Sequence, residues 1–232
     1  MAKISKQELR KDPIHKALEN ILAFILRPRI PKKTLQIGGA IIVVIALVLT
    51  YKVVNKPRRS PDAELRLLQV VVSLAQNDTS SVPQLLNELI TRYRATESGK
   101  RAYFYYGIYE LRRNNKEIAE EYFKKFLKSG IKDDLLKALA YGNLGNIYLD
   151  RGEYDKAISF FQKAEKTSPE KSLMAFYYFK RAKAYQIKGD FQESYTLLTE
   201  FSEKYKNSSL RGKVEEEIKF LKGYLKGVNL TS

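Results

Sequence analysis

The sequence predicts an all-α chain, with a single transmembrane helix followed by a solenoid of three to four helix pairs and a capping helix. Three observations carry this. Eighteen consecutive residues, Thr34 to Tyr51, hold no formal charge. From residue 62 onward, apolar residues recur at helical intervals between closely spaced turns. Within that region one block of small and aromatic residues returns at 37- and 38-residue intervals, a period that belongs to stacked helical repeats. The expected organisation is a basic amphipathic tail over 1–33, a transmembrane helix over 34–54, a linker over 55–61 and the solenoid over 62–228.

In the tail, Asp12 and Pro13 suit a helix start, the acid as cap and the proline at the first helical position. Ile14, Ala17, Leu18, Ile21, Leu22 and Ile25 follow on one face, with Lys16, Glu19 and Asn20 opposite. Such a helix either lies on the inner leaflet with its apolar stripe buried or docks on a partner's membrane helix. The uncharged segment spans ~27 Å as a helix, close to the ~30 Å hydrocarbon core. Ten of its 18 residues are Leu, Ile or Val, and no small-x-small cleavage site follows. Gly38, Gly39 and Ala40 permit packing against a second membrane helix, which leaves a homo-oligomer open.

The formal net charge of +16 is unevenly spread. Residues 1–36 hold nine Lys/Arg against Glu8, Asp12 and Glu19; residues 37–60 add Lys52, Lys56, Arg58 and Arg59 without an acid. Ten of the sixteen charges therefore flank the apolar segment, as basic residues do around a membrane helix. The remaining +6 is interspersed with acids over residues 61–232, which argues against nucleic acid as a partner. The more basic N-terminal side is expected to stay in the cytoplasm and the large domain to lie outside it.

Catalytic chemistry finds little support. There is no cysteine and one histidine, His15, in the tail. No phosphate-cradling glycine loop and no metal-ligand spacing is present. The chain is expected to be no enzyme and to need no metal or cofactor.

The repeat is sharpest at Tyr141-x2-Leu144-Gly145-x2-Tyr148, then Ala157-x3-Phe161-x2-Ala164 and Pro169. This reproduces the tetratricopeptide pattern, with tyrosine at its usual tryptophan. Small Gly145 and Ala157 allow two antiparallel helices to cross closely, Tyr148 and Phe161 fill the gap to the next pair, and Pro169 halts the second helix. Weaker copies place Tyr103, Tyr106, Gly107, Ala119 and Phe123 upstream, and Tyr178, Ala182, Tyr185, Phe191 and Leu198 downstream. A degenerate pair is expected over Pro61–Gln76 and Pro83–Arg94. Val214, Ile218, Leu221 and Leu225 mark a one-sided capping helix.

With its tail, anchor and repeat domain, and with Leu89-Ile90-x2-Tyr93 followed by Ala102 to Gly107, the chain resembles the ancillary Sec-translocon subunit (YfgM-like) family. Arg94 departs from that family's usual proline. The resemblance implies a single-pass protein of the bacterial inner membrane whose partners are translocon subunits, chaperones or nascent secreted polypeptides, besides membrane lipid. Two other roles stay open. One is an envelope-assembly or cell-wall adaptor; the other is a cytosol-facing receptor, should the topology be inverted.

First helices of stacked pairs line the inner surface of a solenoid. That places Phe104, Tyr105 and Ile108, then Asn143, Asn146 and Asp150, then Phe176, Phe179, Lys180 and Lys183 in a partner-binding groove. Rings would supply buried area, and amide and ammonium donors would orient a bound backbone or carboxylate. The runs Tyr103–Tyr106 and Phe176–Phe179 cannot point wholly into a groove, so half of each is assigned to packing. A clamp for a terminal carboxylate is not expected, because Phe104, Ile108 and Phe176 replace three of its polar members.

Overall fold

The structure, a computed structural model, describes residues 16–17, 19–22, 40–49 and 59–231. These fall into two compact units, one within Met1–Lys56 and one within Pro57–Ser232. In the first, residues 16–17, 19–22 and 40–49 are helical, and the side chains of Ile41 to Leu49 are exposed. The rest of the expected tail and of the expected membrane helix, residues 34–39 and 50–54, lies outside the described residues. Among the described residues no helix is long and apolar enough to cross a membrane.

The second unit is all-α. Its helices are α1 (Pro61–Ala75), α2 (Val82–Thr91), α3 (Glu97–Arg112), α4 (Lys116–Lys128), α5 (Asp134–Asp150), α6 (Tyr154–Thr167), α7 (Lys171–Lys188), α8 (Phe191–Lys204) and α9 (Arg211–Thr231). They make four consecutive pairs and a final single helix.

Local sequence sets the helix ends. Ser60 accepts the Ala63 N–H at 3.4 Å ahead of Pro61, Thr96 accepts the Gly99 N–H at 3.0 Å, and Asp133 accepts the Leu136 N–H at 3.0 Å, each relieving an orphan donor of a first turn. All four turns inside pairs use left-handed backbone at equivalent places: Asn77 (φ 57°), Asn114 (φ 61°), Gly152 (φ 74°) and Gly189 (φ 97°). These are residue types for which that region costs little. Helix α6 stops at Thr167, because Ser168 is extended (φ −60°, ψ 127°), the conformation that the following Pro169 imposes.

Packing repeats with the sequence. Four apolar clusters each join three successive helices. Leu67, Val70, Leu86 and Ala102 join α1, α2 and α3, and Phe104, Phe123, Leu136 and Leu144 join α3, α4 and α5. Tyr148, Phe161 and Tyr177 join α5, α6 and α7, while Tyr178, Leu198, Phe201 and Val214 join α7, α8 and α9. Helices α3, α5 and α7 thus bury residues in two clusters each, which is why their apolar residues are spread round the helix and not confined to one stripe. Within α5–α6, a Cβ at Gly145 would stand 2.6 Å from Cε1 of Phe161; within α3–α4, one at Gly107 would stand 2.7 Å from Cε1 of Phe123. Glycine is what lets the fully buried ring lie on the opposing backbone.

The signature residues occupy the interior as their spacing requires. Leu144, Ala157, Phe161 and Ala164 are buried, Tyr141 is half-buried beside the Phe160 ring at 6.3 Å, and Pro169 is exposed in the turn. Tyr148 does more than fill the gap to the next pair. Its ring stacks on Phe160 at 5.2 Å, and its hydroxyl reaches back to Glu120 of the preceding pair at 2.5 Å. In α9, Val214 and Leu221 are fully buried while Glu215, Glu216 and Lys219 are exposed, the one-sided burial suited to a terminal cap.

Candidate functional site

Side chains from successive first helices meet directly. Lys180 of α7 reaches Asn146 of α5 at 3.3 Å, and Lys183 of α7 meets Glu217 of α9 at 2.7 Å. Arg101 of α3 bonds Asp133, the cap of α5, at 3.2 Å. The surface these helices present is therefore continuous from α3 to α9.

Repeat-equivalent positions along it change chemistry in order. At one position Tyr105 gives way to Asn143, Lys180 and Glu217; at the next, Ile108 gives way to Asn146, Lys183 and Phe220. The surface is apolar at α3, amide-bearing at α5, cationic at α7 and mixed at α9. A partner crossing it would meet apolar contact, then neutral donors, then ammonium groups.

Of the ten expected groove residues, Phe104 is buried in the core, and Tyr105, Ile108 and Phe179 are half-buried against it. Phe104 is 4% exposed, tilted against Phe123 at 5.8 Å and Phe126 at 5.6 Å, because α5 closes over it with Leu136 and Ala140. Phe179, at the equivalent position of α7, is half-buried against the cluster that holds α8 and α9. Tyr105 is half-buried and edge-on to Phe104 at 5.3 Å, and burial raises its pKa. Ile108 is half-buried against the same cluster.

All five polar groove residues already have partners within the chain. The Asn143 amide donates to the Leu139 carbonyl at 2.9 Å, and Asp150 accepts from Lys116 at 2.7 Å. Asn146 accepts from Lys180, while Lys183 is held by Glu217, which also accepts from the Gln186 amide at 3.2 Å. Phe176 stands apart: 39% exposed, its ring edge-on to Tyr177 at 5.2 Å, with the Lys180 ammonium 5.8 Å from its centre. Of the ten, it is the side chain with the most apolar surface open to a partner.

The sequence reading passed over Glu217, Ile187, Phe220 and Tyr224. The last three are large and more than 40% exposed. A signal for Glu217 existed, since it follows Lys183 by the same 34 residues that separate Lys180 from Asn146. The reading also passed over Gly142, whose missing side chain makes room for the buried ring of Tyr177. That ring lies in so apolar a setting that burial pushes its phenol up to about 12.

Residues 138–171, from within α5 to the first residue of α7, match the tetratricopeptide repeat family. The chain carries a tetratricopeptide repeat. A mouse (Mus musculus) protein, Superkiller complex protein 3, is 29% identical over 149 residues, covering 62% of this chain and 9% of that relative. The chain thus spans less than a tenth of the length of the curated relative it matches.

Proposed function

We propose that this chain is a scaffold that holds other proteins against the surface carried by α3, α5, α7 and α9. The observation that carries the reading is the tetratricopeptide repeat at 138–171, set in a stack whose first helices form one continuous surface. Repeats of this build present extended surfaces suited to polypeptide. The mouse relative is named as a protein of a complex, which accords with a role in assembly.

The fuller reading places this scaffold at a membrane. Supporting it are the uncharged residues 34–51 and the ten net positive charges over residues 1–60, a pattern typical of an anchor. On this reading the chain crosses a bacterial inner membrane once, its N-terminus cytoplasmic and its repeats outside. Its partners are translocon subunits, chaperones or nascent secreted polypeptides. Photo-crosslinkers placed in residues 14–54 of the full chain in native membranes test it. Crosslinks to translocon subunits are expected; crosslinks confined to outer-membrane assembly factors would overturn the translocon role. Extraction of the chain into buffer without detergent would overturn the anchor.

A further inference from the structure

The connections between helix pairs differ at their rim. Residues 168–170 join α6 to α7, whereas residues 205–210 join α8 to α9. At α3 the rim is closed by Arg101, which bonds Asp133 of the next connection. At the equivalent place on α7 the residue is Phe176, and no such bridge forms. The longer connection, anchored on α7 by Tyr205 against Tyr178 at 5.7 Å, borders a cleft of about 810 Å³ at the start of α7.

Its floor is apolar, made by Ala175, Phe176 and Leu210, and its rim carries Lys171, Lys204 and Lys206 against one lining acid, Glu203. Lys204 is shared with Glu165 at 3.4 Å. Lys171 and Lys206 are exposed and form no ion pair with the described residues. Unlike α3 and α5, α7 receives no side-chain cap, since Glu170, an exposed carboxylate beside Lys171, makes no capping bond, so its first N–H groups remain available.

We infer that this cleft is a docking site for an acidic peptide segment bearing one large apolar residue, which would sit on Phe176 while flanking carboxylates meet Lys171 and Lys206. The inference rests on the scaffold reading and gives it a partner chemistry. Charge complementarity selects the sign of the partner. The apolar floor and the size of the cleft favour a peptide over a small free anion, which would leave Phe176 and Leu210 wet.

The test uses the full chain in mild detergent and a fluorescein-labelled octapeptide of Asp and Glu around a central Phe. The same peptide with Lys for its acids is the control. Fluorescence anisotropy should show binding of the acidic peptide that weakens as salt rises. Lys171→Glu with Lys206→Glu, at exposed positions that leave the fold intact by circular dichroism, should weaken it by at least about tenfold. Lys128→Glu with Lys132→Glu, the same charge change at exposed positions away from the cleft, should leave it unchanged. The cleft assignment is overturned by equal binding of the basic peptide, by equal loss of binding in the two lysine-pair variants, by undiminished binding in the Lys171/Lys206 variant, or by no binding of either peptide. Displacement by a single-stranded oligonucleotide at matched charge would reassign the cleft to nucleic acid. The scaffold reading is judged separately by the crosslinking experiment, so the two can fail independently.

Discussion

In α5–α6 the helices cross where Gly145 faces the Phe161 ring; in α7–α8 the equivalent residues are Ala182 and Leu198, both fully buried. One pair sets the smallest residue against a large ring, the other enlarges the small side and shrinks the large one. The crossing therefore depends on the summed volume of two facing residues and tolerates a change in either when the other compensates. The pairs also differ in how each is followed: three residues lead from α6 to α7, and six lead from α8 to α9. The pair that keeps the repeat pattern is tightly joined to the next helix, and the pair that departs from it borders the cleft. Divergence from the repeat and an opening in the surface coincide.

The largest expected effect breaks the first half of that comparison. Gly145→Ala sets a methyl 2.6 Å from a ring that has nowhere to move. The strain outweighs the gain in helix propensity, for a net loss of about 2 kcal/mol. Phe161→Leu alone leaves a void and costs about 1–2 kcal/mol. Together they recreate the Ala182–Leu198 solution, so the double variant should lie within about 1 kcal/mol of the natural chain. Urea unfolding midpoints of the four proteins measure this coupling. A double variant that loses the sum of the two single losses would show that the final pair is not a compensated version of the central one.

Much of the interior was legible because the repeat period fixes it. Leu144, Gly145, Ala157 and Phe161 sit where their spacing places them, since a residue between two packed helices has few alternatives. The surface was less legible because its state depends on neighbours a whole repeat away. Phe104 reads as a groove ring until α5 is seen to cover it, and Lys183 reads as a free donor until Glu217 is found against it. The cleft left no sequence signal beyond a connection a few residues longer than its counterpart.

A second, smaller effect concerns how the central pair is tied to its neighbours. After it, Glu165 of α6 pairs with Arg181 of α7 at 3.1 Å, and both side chains are largely buried. Before it, Glu120 of α4 gathers Lys124 and the Tyr148 hydroxyl, each at 2.5 Å, together with Arg151. Burial opposes the charge on Glu120, but these three donors outweigh it and hold the carboxyl at about 2, below the ordinary 4.5. A depressed carboxyl contributes stability above pH 4.5 and loses it as pH falls towards 2. The unfolding midpoint of the natural chain should therefore drop across that interval more steeply than that of Glu120→Gln. Parallel pH profiles would show that the junction does not rest on the ionised carboxylate.

The smallest effect sharpens the comparison at the turns, where the pairs agree. Asn77, Asn114, Gly152 and Gly189 hold the same left-handed position in the four pairs, two with a side chain and two without. At Gly189 an added Cβ meets nothing within 4 Å, so a substitution there probes the backbone alone. Alanine, forced to positive φ, should cost about 1 kcal/mol. Asparagine tolerates that region and lowers the entropy of the unfolded chain, so Gly189→Asn should cost no more than a few tenths of a kcal/mol. Comparing the two variants by urea unfolding separates dihedral preference from packing. Equal losses for Ala and Asn would mean that the turn demands glycine for a reason other than its φ, and that Asn114 is accommodated by its own surroundings.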